Sequence, residues 1–271
     1  MLISHSRPSD IAWSLIGTGA AWLTDADVLT NGRPAAAARL QWLSGTQTTA
    51  SVLTLRGTWT TACAPRVVAL LGLTLPVGTL ITLAFRRPAD ADYTYLADLP
   101  SQRVVQLPDG SRCAWFALDA GLDPVIGVEY RIHNDVNGSA SIAAGSAIDI
   151  GEAWVGPTFE VCLRRSMQDH VIDPTAKRRS YGSQTFASQR LPYRSIQLEL
   201  VPQRDTAIGD VRALRGQVMQ AERMAIVPDE TDVYGTALFG TAYQFDLAAL
   251  DAGKFWSAVF QADEEPATPV P

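Results

Sequence analysis

The sequence predicts a mainly β protein, a jelly-roll-like β-sandwich with one late α-helix. Three observations carry this. Short apolar or alternating runs recur along most of the chain, separated by Gly, Pro, Asn and Asp. Those runs are rich in β-branched and aromatic residues, which suit a pleated, half-buried surface. Only one stretch, late in the chain, has convincing helical spacing. Many short strands with turns between them build sandwiches and barrels rather than alternating β/α layers.

In chain order, residues 1–30 read as an irregular lead-in, with Trp13 and Trp22 covering one end of a sheet. Asn31-Gly32-Arg33-Pro34 is a turn. Leu40 and Trp42 then point one way, and Arg39 and Gln41 the other. Val52 to Trp59 alternates as a strand. Arg66 to Leu75 is continuously apolar, the pattern of a strand buried on both faces. Pro76-Val77-Gly78-Thr79 turns it into the strand Leu80 to Arg87, as a hairpin or a tight corner. Residues 88–112 are mostly loop. Cys113 to Leu118 is a short strand. In Val125 to His133, Val128, Tyr130 and Ile132 alternate with Glu129, Arg131 and His133. Residues 134–138 form a turn.

The stretch 147–200 organises the chain. Ile148 to Pro157 reads as a strand with a kink. Tyr193 to Leu200 is a strand with clean alternation. Between them lies a basic, polar loop. After it, Asp205-Thr206 caps a helix spanning about 206–223, with Ile208, Val211, Leu214 or Arg215, Val218 and Ala221 on one face. Strands follow at 225–229, 238–240, 243–247 and 255–261. Residues 1–262 therefore read as one sandwich domain. Residues 263–271 read as a flexible acidic, Pro-rich tail.

Composition narrows the function classes. The chain has 271 residues, a net charge of −6, 47% hydrophobic and 18% charged residues. Its only lysines are Lys177 and Lys254. Nucleic-acid binding needs a basic surface and is not expected. The longest apolar windows are broken by Gly72, Pro76 and Gly78, so no membrane span is expected. The first eight residues lack a basic stretch before an apolar run, so no secretory leader is expected. Cys63, Cys113 and Cys162 are far apart in apolar contexts and read as buried small hydrophobes, without zinc spacing.

The search for chemistry finds no catalytic motif. His5, His133 and His170 have no metal-ligand spacing. His133 reads as a turn residue and His170 as a solvated loop residue. There is no Gly-x-Ser-x-Gly elbow, and Gly17-Thr18-Gly19 lacks the dinucleotide-loop context. Asp25 with Asp27, Asp90 with Asp92, and the group Asp229, Glu230 and Asp232 read as solvated loop acids rather than calcium ligands. No enzyme activity, cofactor or metal is expected. Seven Trp in a β chain invite a sugar-stacking reading, but they sit mostly inside apolar strands and read as packing.

The remaining polar feature is the basic loop. Arg164, Arg165, Lys177, Arg178, Arg179, Arg190 and Arg194 fall within 31 residues, interleaved with Tyr181, Phe186 and Tyr193. Arg with aromatics is the composition of interface cores. The candidate subunit-interface residues are Arg178, Arg179, Tyr181, Arg190 and Tyr193.

Several segments together resemble one family. Arg66 to Thr79, followed by Leu80 to Arg86, is similar to a strand–turn–strand of phage tail proteins. Ile150 to Glu160 resembles their "IGRLWIGP" strand, with Glu152 where that pattern has Arg. Arg178 to Gln184 resembles an "SxGGQ" turn, with Ser183 in place of one glycine. Arg190 to Arg194 matches an "RPRYR" opening. Val227-Pro228-Asp229 before Leu238-Phe239-Gly240 echoes a "VPDP … LFG" close. The resemblance spans roughly residues 28–262. It implies a minor structural protein at or near the tip or baseplate of a long flexible phage tail, with a galactose-binding-like jelly roll and no catalytic residues. Its partners would be other tail proteins and copies of itself, in a virion assembled in the host cytoplasm. The alternative is a carbohydrate-binding module contacting a host surface glycan.

Overall fold

A computed structural model describes residues 1–17, 19–42, 52–94, 100–134, 141–179, 185–188, 192–204, 208–220, 223–251 and 254–265. The architecture is mainly β, with several antiparallel sheets and a single helix of seven or more residues, consistent with a β-sandwich.

Three sheets stack in layers, and a helix covers the last. The first is five-stranded, in the order β2 (Ala12–Ile16), β5 (Val52–Cys63), β11 (Val125–His133), β7 (Leu80–Arg86), β8 (Ser101–Arg103). The middle sheet is β13 (Glu152–Gly156), β6 (Val67–Leu71), β10 (Arg112–Ala117), β9 (Val105–Gln106). The third is seven-stranded: β14 (Phe159–Glu160), β1 (Leu2–Ser4), β19 (Met224–Val227), β20 (Leu238–Leu250), β21 (Phe255–Glu264), β18 (Tyr193–Arg204), β15 (Leu163–Ile172). A three-stranded sheet, β12 (Ala147–Ile150), β4 (Ala38–Trp42) and β3 (Ala20–Trp22), supplies Leu40, Trp42, Ile148 and Ile150 to the first core. β16 (Ala176–Arg179) pairs with β17 (Thr185–Ser188).

The middle sheet explains the continuous apolar run. Successive strand residues point to opposite faces, so a strand with sheets on both sides has no solvent face. Val68 and Leu70, with Ala114, Phe116, Ala153 and Val155, join the core shared with the five-stranded sheet. Val67, Ala69 and Leu71, with Cys113, Trp115 and Trp154, face Leu2, Ala225, Val227 and Phe239 of the seven-stranded sheet. Size is matched across strands: Ala69 stands opposite both Trp115 and Trp154. Trp154 also ties the layers together. Tyr130 donates its hydroxyl to the Trp154 carbonyl at 3.0 Å. The Trp154 indole N–H donates to Ser4 Oγ at 3.0 Å.

The far face of the seven-stranded sheet is closed by α1 (Ile208–Val218). Ile208, Val211, Leu214 and Val218 pack on Ile3, Ile196, Leu198, Ile226 and Phe260. The predicted helix was longer, 206–223; residues 205–207, including the expected cap, and 221–222 lie outside the described residues. A single helical turn, α2 (Val233–Thr236), precedes β20.

Several expectations are corrected. Residues 1–30 are not irregular: they hold β1, β2, β3 and a 3₁₀ helix at Ala26–Thr30. In β1, Leu2 and Ile3 face different cores, and all three residues are buried. The kink in 148–157 is a change of sheet. β12 ends at Ile150 in the three-stranded sheet, and β13 begins at Glu152 in the middle sheet. Gly151 fits there because the Pro34 carbonyl occupies the space a Cβ would need, 1.8 Å away. β6 and β7 belong to different sheets, so of the two readings of 76–79 the tight corner holds. The loop expected between 157 and 193 contains the ten-residue β15 and the β16–β17 pair. The tail begins later than expected: Asp263 and Glu264 end β21, and the Glu265 amide donates to the Phe239 carbonyl at 2.8 Å. Residues 266–271 lie outside the described residues.

Candidate functional site

A cleft of about 330 Å³ opens where β15 and β18 meet the turn after β9 and the turn at α2. Its size falls at the lower end of ligand pockets, about 300–1,000 Å³. Leu107, Pro108, Val171, Pro192, Tyr193 and Tyr234 give it an apolar wall. Asp109, Asp169, Arg194 and Glu264 give it charge. No Ser, Thr, Cys, Lys or His is among the described residues lining it.

The strands fix these groups. Val171 stands opposite Arg194 in the β15–β18 ladder. The Arg194 guanidinium donates to Asp169 Oδ2 from NH2 at 2.8 Å and from Nε at 3.2 Å. It also donates to the carbonyls of Gly235 and Ala237, at 3.1 Å each. One side chain thus pins the α2 turn to the edge of the seven-stranded sheet. The Arg194 amide donates to Glu264 Oε2 at 3.1 Å. Burial pushes Glu264 up to about 7. Arg194 opposes that rise, and the nearby Asp109 and Asp169 add to it. Asp109 accepts from the Ser111 amide and hydroxyl, which closes its turn. Tyr234 anchors its own wall by donating to the Arg103 carbonyl at 3.0 Å. Burial raises its phenol to about 12, so it stays neutral.

The sequence-predicted residues fall unevenly. Tyr193 opens β18, is half-buried and lines the cleft. Arg178 and Arg179 lie on β16, opposite Phe186 and Thr185 of β17. Tyr181 and Arg190 lie outside the described residues. Arg194, read only as part of a basic run, is committed to Asp169. Sequence reasoning missed Asp109, Asp169, Tyr234 and Glu264. Glu264 falls where the sequence reads as a tail and Asp169 where it reads as a loop, so neither has a strand register to place it.

The other candidates resolve into local structure. His133 is at the end of β11 with Nε2 2.9 Å from Thr82 Oγ1, and burial lowers its pKa. His170 is an exposed residue of β15 rather than of a loop. Asp25 accepts from the Asp27 amide at the start of the 3₁₀ helix. Asp90 pairs with Arg87. Asp229 and Asp232 accept hydrogen bonds from Thr231 and Gly235 in their own turn. No group of three or more His, Cys, Asp or Glu able to hold a metal is found among the described residues. No helix among them is long and apolar enough to cross a membrane. Cys113 is buried, which raises its thiol to about 12, and Cys63 is half-buried and raised to about 11. Cys162 is exposed, against the expectation that all three are buried. Trp42, Trp59, Trp115 and Trp154 are buried, and Trp13, Trp22 and Trp256 are half-buried.

No family model matches the chain, and comparison with curated proteins gives no match.

Proposed function

We propose that the chain is a non-catalytic structural component of a phage tail tip or baseplate. It would act through contacts with other tail proteins and with copies of itself, in a virion assembled in the host cytoplasm. The motifs set out between residues 28 and 262 support the tail assignment. The observation that carries a contact-making role is the edge of the seven-stranded sheet. β15 is ten residues long and pairs on one side with β18; no strand among the described residues pairs with its other side. A long unpaired edge is a template for another chain. On this one Val171 is 74% exposed, and the cleft lies alongside.

Burial or half-burial of all seven indoles supports packing over a glycan platform as the use of the Trp residues. Mass spectrometry of purified virions tests the proposal, with the chain expected at a fixed ratio to other tail proteins. Its absence from virions would sink the tail reading. In a virus encoding Val171→Lys, tails are expected to assemble poorly although the isolated variant stays folded.

A further inference from the structure

We propose that the cleft receives one Arg or Lys side chain from an extended segment of a protein partner that pairs along the free edge of β15. This rests on the contact-making role proposed above and specifies its chemistry.

Four observations converge. The cleft, about 330 Å³, suits a single side chain rather than a polymer. Its walls at Leu107, Val171, Tyr193 and Tyr234 are apolar, matching the aliphatic stem that Arg and Lys lay along such surfaces. Its charge is unbalanced: three carboxylates, Asp109, Asp169 and Glu264, share the lining with one guanidinium. That guanidinium, Arg194, is held by Asp169 and by the carbonyls of Gly235 and Ala237. Asp109 and Glu264 are left without a salt-bridge partner among the described residues. Glu264 has a single hydrogen-bond donor there, the Arg194 amide. An anion would meet carboxyl groups and a cation already engaged. A guanidinium or ammonium would meet two carboxylates in a partly dry site, where charge-assisted bonds are strongest.

The fourth observation is the position of β15. Asp169 and Val171 are alternate residues of the edge strand, and both line the cleft. In strand addition the backbone pairing supplies affinity, and pockets for alternate side chains supply specificity. A segment added to β15 brings its own side chains to the mouth of the cleft.

Protonation adds a linked signature. Glu264 is raised to about 7 by burial, with Asp109 and Asp169 adding to the rise and Arg194 opposing it. A bound cation reverses part of that rise and expels a proton. Binding therefore strengthens as pH goes from about 6 to about 8.

The test uses the full chain and two probes: the peptide acetyl-Val-Thr-Arg-Thr-Val-amide, and the same peptide with citrulline, the neutral isostere, in place of Arg. Amide chemical shifts are followed by NMR. The Arg peptide is expected to bind saturably and to perturb Asp169, Val171, Tyr193 and Arg194. The citrulline peptide is expected to bind at least about tenfold more weakly, the cost of one charge-assisted bond. Glu264→Gln is expected to weaken the Arg peptide by a similar factor and to leave the citrulline peptide unchanged. If Glu264→Gln fails to fold, Asp109→Asn in the exposed turn provides the same comparison. Equal affinity of the two peptides, absence of saturable binding, or shifts outside the cleft would each overturn the proposal. Free butylguanidinium binding as tightly as the peptide would overturn the β15 pairing. These readings need no virion. A silent cleft in a chain found in virions refutes this inference alone, and a binding cleft in a chain absent from virions refutes the tail assignment alone.

Discussion

Replacing Arg7 by Met removes the counter-charge of the most deeply buried carboxylate described. Glu152 lies on β13 with no exposed side-chain surface. It accepts hydrogen bonds from Arg7 and, at 2.7 Å, from the Gly32 amide. Arg7 also lies over the Trp154 ring at 5.4 Å and donates to the Thr30 carbonyl. Burial still dominates and lifts Glu152 from an ordinary 4.5 to about 7; Arg7, the Gly32 amide and Arg223 hold it from rising further. A carboxyl whose folded pKa is raised stabilises the fold at low pH, and that contribution is lost as pH climbs from about 4.5 to about 7. At about 1.4 kcal/mol per pH unit, the loss is roughly 3 kcal/mol.

Without Arg7 the rise extends to higher pH. At pH 5 Glu152 is protonated in both proteins. Arg7→Met then loses its bonds to the Glu152 carboxyl and the Thr30 carbonyl and the ring contact, about 1 kcal/mol each. At pH 8 the carboxyl has ionised in the parent but stays protonated in the variant, so the loss grows by about 1.4 kcal/mol, to about 4 kcal/mol in all. At about 2–4 °C per kcal/mol, the melting temperature at pH 8 falls by about 8–16 °C. Thermal unfolding followed by circular dichroism at the two pH values measures this. The double variant Arg7→Met/Glu152→Gln keeps the acceptor for Gly32 and is expected to recover most of the loss at pH 8. An equal loss at pH 5 and pH 8, or a double variant no more stable than Arg7→Met, would refute the reasoning.

Other substitutions probe other layers. Leu70→Ala, on the middle sheet, should cost about 2–5 kcal/mol in urea unfolding, since Leu70 is fully buried. Gly151→Ala sets a Cβ against the Pro34 carbonyl and should cost about 1–3 kcal/mol or more, with α1 and its core left folded by hydrogen exchange. Glu264→Gln removes a carboxyl raised to about 7, so its melting temperature relative to the parent should rise from pH 5 to pH 8; a pH-independent difference would place the burial elsewhere. Val171→Lys, at an exposed position, should change stability by no more than about 0.5 kcal/mol.

What was legible in the sequence depended on periodicity. Val67 to Leu71 announced burial on both faces, and all five residues are buried. Leu40 and Trp42 against Arg39 and Gln41, and Ile196 to Leu200, kept the faces their alternation assigned. The helix face at Ile208, Val211, Leu214 and Val218 did likewise. β15 was missed because Arg164-Arg165-Ser166-Met167-Gln168-Asp169-His170 has no apolar alternation; as an edge strand it needs none. β1 was missed because its three residues are too few to show a period. The cleft was illegible for a different reason. Asp109, Asp169, Tyr234 and Glu264 are spread over 156 residues, and only the sheet order brings them together.

The position of β1 has a consequence for how the chain is made. Leu2 pairs on one side with Val227 and on the other with Glu160. Residues 2–4 are therefore synthesised well before either neighbour, 159–160 and 224–227. Loop-closure entropy must be met before such distant pairing is rewarded, which slows folding. Until Met224–Val227 emerges, the inner edge of β1 and the Trp154 side of the middle sheet lack their cover. The nascent chain carries that exposed surface until residue 227 has been made, so termination before that point would yield a sticky fragment rather than a smaller folded protein.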